Sequence, residues 1–173
     1  MKKLLVPIDF SYGSEPVIEN AKAIAKAFNS EMRILYIIPP LPHEIRNRLE
    51  INSVSTMGDM VGRLISSESY ESIRDEMASS IKTIRKKILE LKNKLTAEGL
   101  SVEAYIFEGK VEESIFEEVA EYKPDMIIMS SKGHGYHFKS MFGGVYSTII
   151  KNVTCPVLVI PSNKTTHRKL KTS

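Results

Sequence analysis

No apolar run in this chain approaches the roughly 20 residues that a membrane-spanning helix needs. The amino terminus, Met1 to Asp9, opens with two lysines, but Pro7 and Asp9 interrupt its apolar stretch too early for a signal peptide. Cysteine occurs once, at Cys155, which excludes an intramolecular disulfide and suits a reducing compartment. A cytoplasmic protein with no membrane partner is the expectation. No Gly-x-Ser-x-Gly elbow is present, and no nucleophile, base and acid assemble into a set, so an enzyme is not expected. His134 and His137 lie three apart, but no second cysteine or paired carboxylate accompanies them, and no metal is expected.

Acid is missing from residues 162–173, which hold Lys164, Arg168, Lys169 and Lys171. The whole chain has 24 basic and 21 acidic residues; without those four it has 20 against 21, so the body is near −1. A nucleic-acid binder carries its basic surface on the folded domain. No nucleic acid is therefore expected, and residues 162–173 read as a basic flexible tail.

What is present suits one domain: 173 residues, 42% hydrophobic and 26% charged. Strands are expected at Lys2–Ile8, Met32–Ile38, Val102–Phe107, Met126–Met129 and Val157–Ile160, each a short apolar run. Ser14 reads as an N-cap of a helix carrying Val17, Ala21, Ile24, Ala25 and Phe28, ended by Asn29. Residues 41–66 have no clean period and exceed an ordinary connection, which suggests a lid-like insertion. From Glu68 a long helix is expected, with Met77, Ile81, Ile84, Ile88, Leu91 and Leu95 on one stripe packed on a sheet, capped by Gly99. Two shorter helices follow Gly109 and Gly144. Strands alternating with helices call for α/β architecture: a five-stranded parallel sheet with helices on both faces, binding ligands beyond the carboxyl ends of its strands.

The segment Met126–Ile160 carries the strongest signal, because a strand, a glycine-bearing loop and a helix start can seat an anion on backbone N–H groups. Gly133 to Ser140 nearly forms a Walker A loop, and Gly133 and Gly135 begin a dinucleotide fingerprint. Phe138 stands where both need glycine, and both are rejected. What remains is Ser130-x-x-Gly133, nine residues, then Gly143-Gly144. Together with Val6-Pro7-Ile8-Asp9-x-Ser11 and Cys155-Pro156-Val157-Leu158-Val159-Ile160, this pattern resembles the universal stress protein family over residues 2–161.

The resemblance implies a single domain over 1–161, Rossmann-like and similar to the adenine-nucleotide alpha-hydrolase fold, with strand order 3-2-1-4-5. It implies a sensor or regulatory module that binds an adenine nucleotide, ATP with magnesium possible, rather than an enzyme. Pro7 and Ile37 would line the adenine pocket and Asp9 would approach the nucleoside. Met129, Ser130, Gly133, His134, Gly143, Gly144 and Val145 complete the nucleotide-binding set, with Gly133, Gly143 and the N–H groups of Gly144 and Val145 holding phosphate. A homodimer through the edge strand Val157–Ile160 and an unknown regulatory protein partner are also implied. Ser130 and Gly144 depart from the family pattern, which has Gly and Ser or Thr there. The alternative is therefore a homodimeric interaction protein of the same fold that does not bind ATP. An adenylate-forming or ATP-pyrophosphatase enzyme would need Ser-Gly-Gly-x-Asp-Ser after the first strand, where this chain has Asp9-Phe10-Ser11-Tyr12-Gly13-Ser14.

Overall fold

Leu4, Leu5, Val6 and Ile8 form a continuous apolar run, the pattern of a strand covered on both faces. In the computed structural model they lie in β1 (Lys3–Ile8), the middle strand of a five-stranded sheet. The structure describes residues 1–11, 13–40, 60–131 and 144–161, and side chains within 60–74 are outside that description. The chain continues through α1 (Ser14–Phe28), β2 (Glu31–Ile38), α2 (Met60–Ala97), β3 (Val102–Glu108), α3 (Val111–Tyr122), β4 (Met126–Ser130), α4 (Val145–Asn152) and β5 (Val157–Ile160). All pairings are parallel and the order is β3-β2-β1-β4-β5. Parallel neighbours need crossover connections, which carry the helices back over the sheet and cover both its faces.

Strand alternation sorts the core into two clusters. Leu4, Val6 and Ile8 pack with Val17, Ala21 and Ala25 of α1 and Ile88 and Leu95 of α2. Leu5 points to the other face and meets Ile115 of α3 and Ile149 of α4. Leu4, Leu5, Ile115 and Ile149 are fully shielded from solvent. Each such side chain is worth about 1.5–3 kcal/mol relative to exposure.

Local signals account for the helix ends. Asn29 takes the left-handed conformation that stops α1, and Gly99 takes φ +83 just beyond α2. Two boundaries differ from the sequence reading. Gly13, not Ser14, is the N-cap of α1; Ser14 is its first helical residue. The long helix begins at Met60 rather than Glu68. Its first turns contain Gly62 and β-branched residues, poor initiators. Once a helix has nucleated, extension needs only one hydrogen bond per residue, so it runs through them. Residues 60–66 are therefore helical, while the rest of the suspected lid, 41–59, lies outside the described residues, as does the basic tail 162–173. Of the α2 stripe, Ile84, Ile88, Leu91 and Leu95 pack on the sheet, while Met77 and Ile81 are not part of that cluster.

Asp125 fastens the amino-terminal edge of the sheet. Its Oδ2 accepts the N–H of Lys2 at 2.5 Å and of Lys3 at 2.9 Å. These backbone donors hold its carboxyl below the ordinary 3.8. A lowered folded value contributes stability that is complete above the ordinary value and lost as pH falls through the folded one. The urea midpoint of the wild-type chain is therefore expected to drop more steeply below pH 3.8 than that of Asp125→Asn. Parallel acid limbs for the two proteins would show that this contact contributes nothing.

Candidate functional site

Strand order reverses at β1: β2 and β3 lie on one side of it, β4 and β5 on the other. Ligands of open α/β sheets bind in the crevice outside the carboxyl ends of the strands at such a point. The β1–β4 ladder is registered at Leu4↔Met126 and Leu5↔Ile127. On the other side the β1–β2 register runs on through Pro7↔Leu35 to Ile8↔Tyr36. Pro7 has no N–H to donate, and it is β1 and β4 that part beyond Leu5.

Apolar side chains lie at these strand ends. Ile37 and Met129 belong to the cluster on the α3–α4 face, with Val145 packed against it. Ile37 is 9% and Met129 5% exposed, so each presents little more than an edge. Pro7 is half-buried. Ser130 ends β4 in register with Ile160, and the adjacent Ser131 N–H donates to the Ile160 carbonyl at 2.9 Å. Ser130 is not among the positive-φ residues, so its backbone does not demand glycine. Gly144 is the N-cap of α4 with φ −72 and ψ 176, an extended conformation open to any residue. Its carbonyl accepts the Ser147 N–H at 2.9 Å, and no side chain caps the helix start. A serine or threonine at an N-cap supplies that cap; glycine leaves the first-turn N–H groups to another acceptor. Gly133, His134 and Gly143 lie outside the described residues.

The loop after β1 is tightly organised around Asp9. Its Oδ1 accepts the Ser11 N–H at 2.9 Å and the Ser14 hydroxyl at 3.0 Å. The Asp9 N–H donates to the Ser14 Oγ at 3.3 Å. Ser11 Oγ accepts the Gly13 N–H at 3.2 Å, and the Ser14 N–H reaches the Ser11 carbonyl at 3.0 Å. Phe10 holds the bend with φ 56, uncommon for a bulky residue. Its ring lies 5.6 Å from that of Tyr36, which offsets the strain with aromatic contact. Lys87 Nζ sits 5.7 Å from the centroid of the Phe10 ring, over its face. Burial, and then the negative charge of Asp9, push the Tyr36 phenol up from its ordinary value.

Gly109 serves as a turn residue. Its φ is +158, a Cβ there would meet Ser114 Oγ at 3.1 Å, and its N–H donates to the Ile38 carbonyl at 3.0 Å. It thereby ties the loop after β3 to the end of β2. Cys155 packs beside the α3–α4 cluster, and burial raises its thiol above the ordinary value, as for a small apolar filler. Among the described residues no three His, Cys, Asp or Glu side chains gather as metal ligands, and no helix is long and apolar enough to cross a membrane.

The sequence reading did not single out Tyr36, Phe10 or the Asp9–Ser14 contact. The spacing of Asp9, Ser11 and Ser14 was the available signal, since short polar side chains bond back to backbone two to five residues away.

A model described as the universal stress protein family matches residues 1–161. A universal stress protein of Methanocaldococcus jannaschii is 27% identical over 163 residues, spanning 94% of this chain and 84% of that protein. A universal stress protein family structure from Arabidopsis thaliana with AMP bound superposes with a TM-score of 0.56 at 20% identity, covering 95% of this chain and 94% of that one. One from Archaeoglobus fulgidus in complex with dAMP gives 0.55 at 13% identity, covering 92% and 98%. At these identities the superpositions establish the shared fold.

Proposed function

Because the chain belongs to the universal stress protein family, we propose that it is an adenine-nucleotide-binding regulatory module, with ATP, magnesium included, as its ligand. The observation that carries this reading is the convergence at the β1 switch point. The ordered Asp9 loop follows β1, Pro7, Ile37 and Met129 lie near the carboxyl ends of β1, β2 and β4, and α4 starts uncapped at Gly144 and Val145, which supports a nucleotide crevice there. Asp9 would face the nucleoside, Pro7 and Ile37 the base. Ser130, Gly133, His134, Gly143 and the first N–H groups of α4 would surround the phosphates. The AMP and dAMP held by structural relatives support the ligand class. The sequence assembles no nucleophile, base and acid set, and we favour regulation by occupancy over turnover. We place the protein in the cytoplasm and assign it a homodimer through β5, an edge strand with no further strand beyond it among the described residues.

The two departures from the family pattern are tolerable in this backbone. Ser130 sits in a strand without positive φ, and Gly144 is extended. Losing one neutral hydroxyl donor at Gly144 costs roughly 0.5–1.5 kcal/mol. The second reading, an interaction protein that has lost ATP, rests on the same two residues. Calorimetry with ATP and magnesium separates them, with the mass of the sample read by light scattering. A Kd below about 1 mM, −4.1 kcal/mol, and twice the chain mass are expected. Weaker binding by a dimeric protein favours the interaction protein; a monomer removes the β5 pairing.

A further inference from the structure

Ser14 occupies an unusual place. A serine at the start of a helix ordinarily caps it, yet the N-cap here is Gly13 and makes no side-chain cap bond. Ser14 is 5% exposed, so its hydroxyl is withdrawn from water and needs a partner inside the protein. That partner is Asp9. The hydroxyl donates to Oδ1 at 3.0 Å and accepts the Asp9 N–H at 3.3 Å. With the Ser11 N–H on the same oxygen at 2.9 Å, the carboxylate is held in one orientation by two donors from two directions. The strained Phe10, between Asp9 and Ser11, shows that the loop is folded around this contact and not around the easiest backbone path.

We propose that Ser14 is a positioning residue of the nucleotide site: anchored in the first turn of α1, it aims the Asp9 carboxylate at the nucleoside portion of the ligand. The inference rests on the nucleotide reading above. Ser14 itself touches no ligand. Its effect passes through Asp9 alone, so it acts on recognition of the nucleoside and not of the phosphates, which lie beyond β4.

The test compares ATP with inorganic tripolyphosphate by calorimetry, on wild type, Ser14→Ala and Ser14→Thr, with folding followed by circular dichroism. Ser14→Ala is expected to weaken ATP binding about threefold to tenfold, the worth of one hydrogen bond, and to leave tripolyphosphate binding unchanged. Ser14→Thr, which keeps the hydroxyl, is expected to restore ATP affinity to within about twofold. Equal losses for both ligands would make Ser14 a merely structural residue and overturn the proposal, as would an unchanged ATP affinity in Ser14→Ala. Wild-type protein that binds neither ligand overturns the nucleotide reading itself, and this inference with it. That failure is recognised in the wild type, before any variant is compared.

Discussion

Glu118→Ala is expected to lower the free energy of unfolding by about 3 kcal/mol, because it removes the buried partner of a largely shielded guanidinium. Glu118 is 3% exposed on α3 and faces Arg33 on β2, Oε1 to Nη1 at 2.5 Å. Arg33 also reaches Glu103 on β3 at 2.7 Å. Its guanidinium carbon lies 3.9 Å from the Tyr122 ring centroid and 4.7 Å from that of Tyr105. Burial opposes the charge on Arg33, but Glu118 and then Glu103 outweigh it and hold the proton more firmly than usual. Glu103 is half-exposed and remains in the variant, which keeps the loss at the low end for breaking a buried pair. Replacing both partners, as in Arg33→Met with Glu118→Leu, is expected to recover most of it, since burying a pair costs nearly what its attraction returns. Urea unfolding of Glu118→Ala and of the double variant measures this. A Glu118→Ala loss under about 1 kcal/mol would place the pair with surface ion pairs.

Gly133→Asp is expected to weaken ATP binding at least about a hundredfold, or 2.7 kcal/mol, while leaving the fold stable. The aspartate would bring a negative charge to an acid-free loop that the nucleotide reading assigns to phosphate, and a side chain where backbone should approach it closely. Calorimetry with ATP and magnesium, beside a thermal melt, is the check. Undiminished affinity in a folded Gly133→Asp protein would move the phosphates away from the loop after β4. The combination with Ser14→Ala is informative: the two sites act on opposite ends of the ligand, so their effects are expected to add.

Much of the fold was legible from local pattern. The run Leu4, Leu5, Val6 and Ile8 announced a strand buried on both faces, and Asn29 and Gly99 marked helix ends by their tolerance of left-handed backbone. The alternation of elements implied a parallel sheet, and the structure has one in the expected order. The start of α2 was less legible, because Gly62 and its neighbours are weak initiators that a long helix nevertheless runs through. In the candidate site, Pro7, Asp9, Ile37, Met129 and Ser130 fall near the carboxyl ends of β1, β2 and β4, and Gly144 and Val145 open α4. Ile37 and Met129 are deeper than a pocket-lining role suggests, because strand alternation turns both into the α3–α4 core.

The sequence by itself determined which segments are strands and helices, which face of each is apolar, and where the chain must turn, since these follow from residues within a few positions of one another. Only the tertiary structure decided that Arg33 would meet Glu118, 85 residues away, and that Ser14 would spend its hydroxyl on Asp9 rather than on its own helix. Periodicity records burial, but it does not record partners. Which buried polar groups satisfy each other depends on crossovers that bring distant strands and helices side by side, and that information is held by the whole chain at once.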